Sequence, residues 1–220
     1  MALAVILDMD GLMLDTEPIS LRAWRQVSRE LGHELNDGIC DRMIGLNLVA
    51  SKELLIRHFG DSFPADELGR LATARYQEYL EAGGVPHKPG LVEFIRFLDE
   101  RNIARAVATS TATELATYKL RRAGVLHHFE IVVGGDQVSR GKPEPDVFLM
   151  AASRLGHRPI DCVVLEDSEP GILAAVAAGM KPILIPDGRE PSPATRRAAQ
   201  VVESLFIART VIEQMINEAT

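Results

Sequence analysis

Cysteine is scarce in this chain: Cys40 and Cys162 are the two among 220 residues. They lie far apart and show no metal-ligand spacing, which argues against a disulfide scaffold and a cysteine-held zinc. Both fit a reducing cytosol and are expected to be packing residues. Positive charge is also in short supply. A formal net charge of -7 argues against nucleic acid or an anionic membrane surface as the main partner. An anionic small molecule would then need local help from a metal or a lysine. The six histidines show no His-x-x-x-His or similar spacing and are expected to be structural or surface residues. No apolar stretch approaches the roughly 20 residues that span a membrane. The first apolar run begins almost at once, which leaves no room for a cleaved leader and predicts a cytoplasmic protein. Repeats and low-complexity tracts are missing too. With 46% hydrophobic and 25% charged residues, what remains is an ordinary soluble globular chain. It is long enough for one sizeable core plus a small accessory domain.

The stretch that organises the chain comes first. Ala4-Val5-Ile6-Leu7 is a continuous apolar run, as in a strand buried on both faces of a parallel sheet. It leads straight into Asp8-Met9-Asp10-Gly11, two carboxylates spaced two apart and then a glycine that permits a sharp turn. Acids at the carboxyl end of such a strand stand where open α/β sheets bind ligands.

Downstream, Leu21, Trp24, Val27 and Leu31 recur at helical spacing, and Gly32 ends that helix. Further helices are predicted at Asp37–Met43, about Val49–Phe59 and about Ala65–Glu81, with no strand among them. Trp24 shares a stripe with Leu21 and Val27 and is read as core. Gly83-Gly84-Val85-Pro86-His87-Lys88-Pro89-Gly90 is the strongest linker signal in the sequence. After it, strands and helices alternate: helices at Leu91–Arg101, Ala112–Ala123, Pro145–Leu155, Pro170–Ala178 and Ala208–Asn217, strands at Ile103–Thr109, Glu130–Val133, Cys162–Leu165, Lys181–Ile185 and near Val201-Val202. Such alternation predicts a parallel sheet with helices on both faces, joined by right-handed crossovers. All strand carboxyl ends then share one rim. The expected organisation is an α/β core of residues 1–14 and 87–220, with residues 15–86 as a separate helical insert.

Four polar segments would converge on that rim: Asp8-Met9-Asp10-Gly11 through Asp15-Thr16-Glu17, Val107-Ala108-Thr109-Ser110, Gly141-Lys142-Pro143, and Leu165-Glu166-Asp167-Ser168. Singly, each has an ordinary reading, as an acidic turn, a helix N-cap, a solvated turn and a capped helix start. Together and in this order they resemble the four motifs of the haloacid dehalogenase superfamily of phosphotransferases, over essentially the whole chain. The resemblance implies a Rossmann-like core with a small helical cap, and catalytic roles for Asp8, Asp10, Thr109 and Lys142. It implies a Mg²⁺ cofactor held by Asp8, the backbone carbonyl of Asp10, Glu166 and Asp167. Gly11, Glu17, Gly45, Asn47, Ser110 and Thr111 are implied as substrate contacts. The chemistry needs these types: a nucleophile to split the displacement into two steps, a cation against the phosphate charge, and an acid–base group for leaving group and water. Dehalogenases of the superfamily lack the second acid, so Asp10 points away from dehalogenation.

Within the superfamily the chain most resembles the β-phosphoglucomutase and pseudouridine-5′-phosphatase group. Met9 through Glu17 and Ile185-Pro186-Asp187-Gly188 are similar to the latter. The mutases carry a histidine where Ser20 lies and an arginine where Leu48 lies. The expected activity is therefore hydrolysis of a small phosphorylated sugar or nucleotide, with a phosphosugar mutase as the alternative. No helical stripe demands a protein partner.

Overall fold

The computed structural model describes residues 3–44, 46, 48–188 and 190–218. The chain forms two compact units, one of residues 1–15 with 86–220 and one of residues 16–85.

The first unit opens with β1 (Ala4–Leu7), all four residues buried. The chain then leaves for the second unit, which is purely helical: α1 (Glu17–Glu30), α2 (Asp37–Met43), α3 (Leu48–Phe59) and α4 (Ala65–Gly83). Local chemistry sets these bounds. Asn36 caps α2 by accepting from the Ile39 amide at 3.0 Å, and Gly32 takes a φ of +80° just beyond α1, a backbone state that favours glycine. Trp24, Val27, Ile39, Met43, Leu55 and Leu68 form the core of this unit. Trp24 is 8% exposed, a packing residue. Cys40 is buried in the same cluster, and Cys162 is buried in the first unit; both are free thiols.

Back in the first unit, the elements run α5 (Leu91–Glu100), β2 (Ala104–Ala108), α6 (Thr113–Arg122), β3 (Ile131–Val133), α7 (Asp146–Leu155), β4 (Cys162–Glu166), α8 (Glu169–Ala177), β5 (Lys181–Leu184), α9 (Pro193–Ala198), β6 (Gln200–Val201) and α10 (Leu205–Glu218). The six strands are parallel in the order β3-β2-β1-β4-β5-β6. Ala4 and Ile6 of β1 pack with Phe148 of α7 and Ala175 of α8. Val5 and Leu7, equally buried, point the other way because side chains alternate across a strand. Both faces of the sheet are thus covered. Phe148 is fully buried, and its loss to alanine would cost about 3–5 kcal/mol.

One helix escapes the sequence reading. α9 has six residues and no apolar stripe; its signal is Ser192, whose hydroxyl accepts from the Thr195 amide at 3.2 Å. The strand order places β1 at the centre. From β1 the chain builds outward to β2 and β3, then returns and builds outward through β4, β5 and β6. The crevice between the ends of β1 and β4 is therefore the switch point where ligands enter such sheets.

Candidate active site

Asp8 directly follows β1, and its amide still pairs with the Leu165 carbonyl of β4 at 3.0 Å. That ladder bond sets its carboxylate beside the end of β4. Asp8 is 6% exposed, and Glu166 is fully buried. Between them stands Lys142, whose Nζ donates to Asp8 Oδ1 at 2.5 Å, to Glu166 Oε1 at 2.5 Å and to the Ala108 carbonyl at 3.2 Å. Its ammonium also lies 4.8 Å above the Phe148 ring, which ties the site to the hydrophobic core.

Glu166 is held from its other side. Its Oε2 accepts from the amides of Asp167 and Ser168, both at 2.9 Å, and from the Ser168 hydroxyl at 2.8 Å. Ser168 in turn caps α8, accepting from the Gly171 amide at 3.2 Å. A side chain at 171 is impossible here: a Cβ would meet Glu166 Oε1 at 1.8 Å. The capped-helix reading of Glu166-Asp167-Ser168 holds at Ser168.

Donor oxygens of Asp8, Glu166 and Asp167 lie within 4.8 Å of one another. Three carboxylates against one lysine leave a surplus of negative charge. Burial pushes the Asp8 carboxyl up to about 7; Lys142 opposes that rise, and Glu166 and Asp10 add to it. Asp167 is likewise raised well above the carboxylate range, by burial first and then by Glu166 and Asp8. Burial alone would lower Lys142, but Asp8 and Glu166 outweigh it and its pKa is raised, so the lysine stays charged. Gly11, with a φ of +88°, leaves space beside the cluster that a Cβ would fill, 2.2 Å from Asp167 Oδ2. An all-oxygen donor set with excess negative charge fits a hard divalent cation.

Asp10 faces elsewhere. Its Oδ2 accepts from the Thr111 hydroxyl at 2.8 Å and its Oδ1 from Lys119 Nζ at 2.8 Å. Its side chain is outside the acidic cluster, which leaves its backbone carbonyl as the part implied for a metal. Thr109 follows β2 and is 2% exposed; its amide pairs with the Val133 carbonyl at 3.0 Å, and its hydroxyl accepts from the Thr111 amide at 3.1 Å. Ser110 is exposed beside it.

Among the implied substrate contacts, Gly11, Ser110 and Thr111 belong to the first unit, and Thr111 is turned onto Asp10. Glu17 opens α1 in the helical unit. Gly45 and Asn47 lie outside the described residues. Two lysines escaped the sequence reading. Lys119 sits on the buried face of α6 between Ala116 and Leu120, and a lysine on an apolar stripe was the signal. Lys88, in the linker, joins Asp15 Oδ1 at 3.2 Å and Asp187 Oδ1 at 2.7 Å. Its pKa is raised: burial acts to lower it, and the two carboxylates outweigh that.

A phosphorylated carbohydrates phosphatase of Thermotoga maritima is 33% identical over 82% of this chain and 83% of its own. A fructose-1-phosphate phosphatase of Escherichia coli is 37% identical over 80% of this chain and 92% of its own. Among solved structures, a HAD family hydrolase of Deinococcus radiodurans with bound phosphate and sodium superposes with a TM-score of 0.81 at 28% identity, covering 97% of this chain and 96% of that one. A haloacid dehalogenase-like hydrolase model matches residues 3–179, from β1 through the end of α8 and beyond every residue of the rim site. The chain is a hydrolase and belongs to the haloacid dehalogenase-like family.

Proposed function

We propose that the protein is a Mg²⁺-dependent phosphatase that hydrolyses a small phosphorylated metabolite, a sugar phosphate or nucleotide, through an aspartyl-phosphate. The observation that carries this reading is Lys142, whose ammonium bridges Asp8 and Glu166 at 2.5 Å each at the switch point of the sheet. The phosphatase names of the relatives support it.

In this reading Asp8 attacks phosphorus, and the ester oxygen leaves as an alcohol. An alkoxide is a poor leaving group, so Asp10 gives it a proton as the P–O bond breaks. Asp10, now a carboxylate, then takes a proton from the water that attacks the phosphorus of the aspartyl-phosphate and frees Asp8. Lys142 offsets charge on Asp8 and on one phosphoryl oxygen, and the Thr109 hydroxyl holds another; such fixed donors are often the largest catalytic contribution. Asp8, Asp167, Glu166 and the Asp10 carbonyl would hold Mg²⁺, which supplies charge neutralisation between the carboxylate and the phosphate dianion. The helical unit, residues 16–85, is proposed to select the leaving group. Gly11, Ser110 and Thr111 would contribute from the core.

Hydrolysis is favoured over mutase chemistry by Leu48. A mutase must grip a second phosphate with a cation, and Leu48 stands where the arginine of the mutases lies. Lys52, one turn further on, is committed to Asp66 Oδ1 at 2.6 Å. The test is a screen of purified protein with Mg²⁺ against phosphorylated sugars and nucleotides, fructose 1-phosphate included, reading free phosphate. Release from at least one ester, lost in excess chelator, is expected. A panel that yields no more phosphate than the Asp8→Asn control sinks the proposal.

A further inference from the structure

α6 carries a lysine where its apolar stripe should continue. Ala116 and Leu120 are fully buried, and Lys119, on the same face, is 5% exposed. An ammonium removed from water is costly unless a counter-charge meets it. Lys119 Nζ meets one at the sheet rim, donating to Asp10 Oδ1 at 2.8 Å. The second oxygen of the same carboxylate, Oδ2, accepts from the Thr111 hydroxyl at 2.8 Å. Thr111 is itself fixed, its amide donating to Thr109 Oγ1 at 3.1 Å.

Each oxygen of Asp10 is thus held by a different segment, one by the loop after β2 and one by the middle of α6. Two donors on two oxygens define the plane of a carboxylate, which a single contact leaves free to rotate. Stability alone does not explain this lysine. Buried ion pairs are often matched or bettered by apolar residues of similar volume, and a methionine at 119 would extend the stripe. The contact lands on the acid spaced two residues from Asp8.

We propose that Lys119 is a positioning residue for Asp10: with Thr111 it fixes the orientation of the carboxyl that exchanges protons with the leaving group and the attacking water. The proposal rests on the phosphatase reading above. Lys119 itself transfers no proton and touches no substrate. Asp10 gives one proton to the departing ester oxygen and regains one from water, and the lysine keeps its own throughout.

The test is a double-mutant cycle with Asp10→Asn, Lys119→Met and the double variant, in Mg²⁺. The substrates are p-nitrophenyl phosphate and the fastest alkyl phosphate of the panel. Lys119→Met should lower kcat on the alkyl ester by roughly 10–10²-fold, part of what general acid–base catalysis supplies, with KM within about threefold. The double variant should be no more than about twofold slower than Asp10→Asn, since residues acting as one unit are non-additive. The loss in kcat/KM should be smaller on p-nitrophenyl phosphate, because nitrophenolate departs with little protonation; a merely structural lesion would affect both esters alike. Parental kcat in Lys119→Met, or losses that multiply in the double variant, overturn the proposal. So does failure of both Lys119→Met and Lys119→Gln to fold, since the lysine would then serve folding. If Asp10→Asn runs at the parental rate, the phosphatase role of Asp10 falls first. If Asp10→Asn is impaired and Lys119→Met is not, the assignment of the lysine alone is lost.

Discussion

Two buried lysines meet carboxylates on the same rim, with opposite charge balance. At the end of β1 and β4, Asp8, Glu166 and Asp167 cluster around the single ammonium of Lys142. Beside the loop after β2, one carboxylate, Asp10, faces an ammonium and a hydroxyl. The first arrangement is short of positive charge, and Asp8 and Asp167 resist ionisation in it. The second has a donor for each oxygen. A cluster with surplus charge suits a cation and a phosphoryl group; a clamped single carboxyl suits proton transfer. Both acids come from one Asp-x-Asp segment, so the division of labour is made by neighbours, not by residue type.

The largest expected effect falls on the crowded cluster. If Asp8 is the nucleophile, as proposed, Asp8→Asn should lower turnover by about 10⁴-fold or more, as when a nucleophile is removed elsewhere. Near-normal phosphate release from that variant would falsify the mechanism outright. Asp10→Asn should cost roughly 10²–10⁴-fold while leaving the Mg²⁺ concentration for half-maximal activity within a few-fold, because its side chain lies outside the cluster. A large rise in that concentration would erase the distinction between the two sites.

Asp167→Asn separates function from stability. If Asp167 is a metal ligand, as proposed, at least about a tenfold rise in the Mg²⁺ requirement is expected. As a half-buried acid crowded by Glu166 and Asp8, it opposes folding when ionised, so the metal-free variant should melt higher than the parent at neutral pH. Titrations of activity against Mg²⁺ and melts in chelator read the two effects. A variant that melts lower in chelator contradicts the surplus-charge account.

Proton linkage extends the same contrast. An acid whose folded pKa exceeds its unfolded value lends full stability below the unfolded value, and loses it as pH climbs through the folded one. For Asp8 those values are 3.8 and about 7. Metal-free protein should therefore lose Tm between about pH 4 and pH 8, and Asp167 acts in the same direction. Saturating Mg²⁺ should flatten that slope. A Tm that rises over this range in chelator would show that Lys142 dominates the cluster.

Much of this was readable because β1, β2 and β4 are short apolar runs that stop at polar residues, and parallel strands bring such stops to one rim. Asp8, Lys142, Glu166 and Asp167 meet there, as do Asp10, Thr109 and Thr111. Strand order was not readable: nothing local tells β1 that it lies between β2 and β4. Nor was the clamp on Asp10. A lysine in a helix reads as solvated unless it is set against its stripe, and nothing local to Thr111 shows that its hydroxyl donates to Asp10. Lys88 was hidden for a similar reason, in a linker whose glycines and prolines speak only of turns. The hydrogen bonds that both oxygens of Glu166 accept were not legible either.

A third lysine supplies the smallest expected effect. Lys52 pairs with Asp66, and here the carboxylate is almost fully exposed, with 94% of its side chain accessible. A pair of that kind contributes about 0–1 kcal/mol, so Lys52→Ala should shift Tm by no more than a few degrees. If the protein is a phosphatase, phosphate release from its best ester should stay within about twofold, because hydrolysis needs no second anion grip. If Lys52 instead substitutes for the arginine of the mutases, it must leave Asp66 to bind a distal phosphate. The parent given β-glucose 1-phosphate and a trace of glucose 1,6-bisphosphate would then make glucose 6-phosphate, and Lys52→Ala would abolish it. The expected result is little glucose 6-phosphate from either protein and inorganic phosphate from both. Glucose 6-phosphate that forms faster than phosphate is released from any ester, and disappears with Lys52, would replace hydrolysis with transfer as the activity of this site.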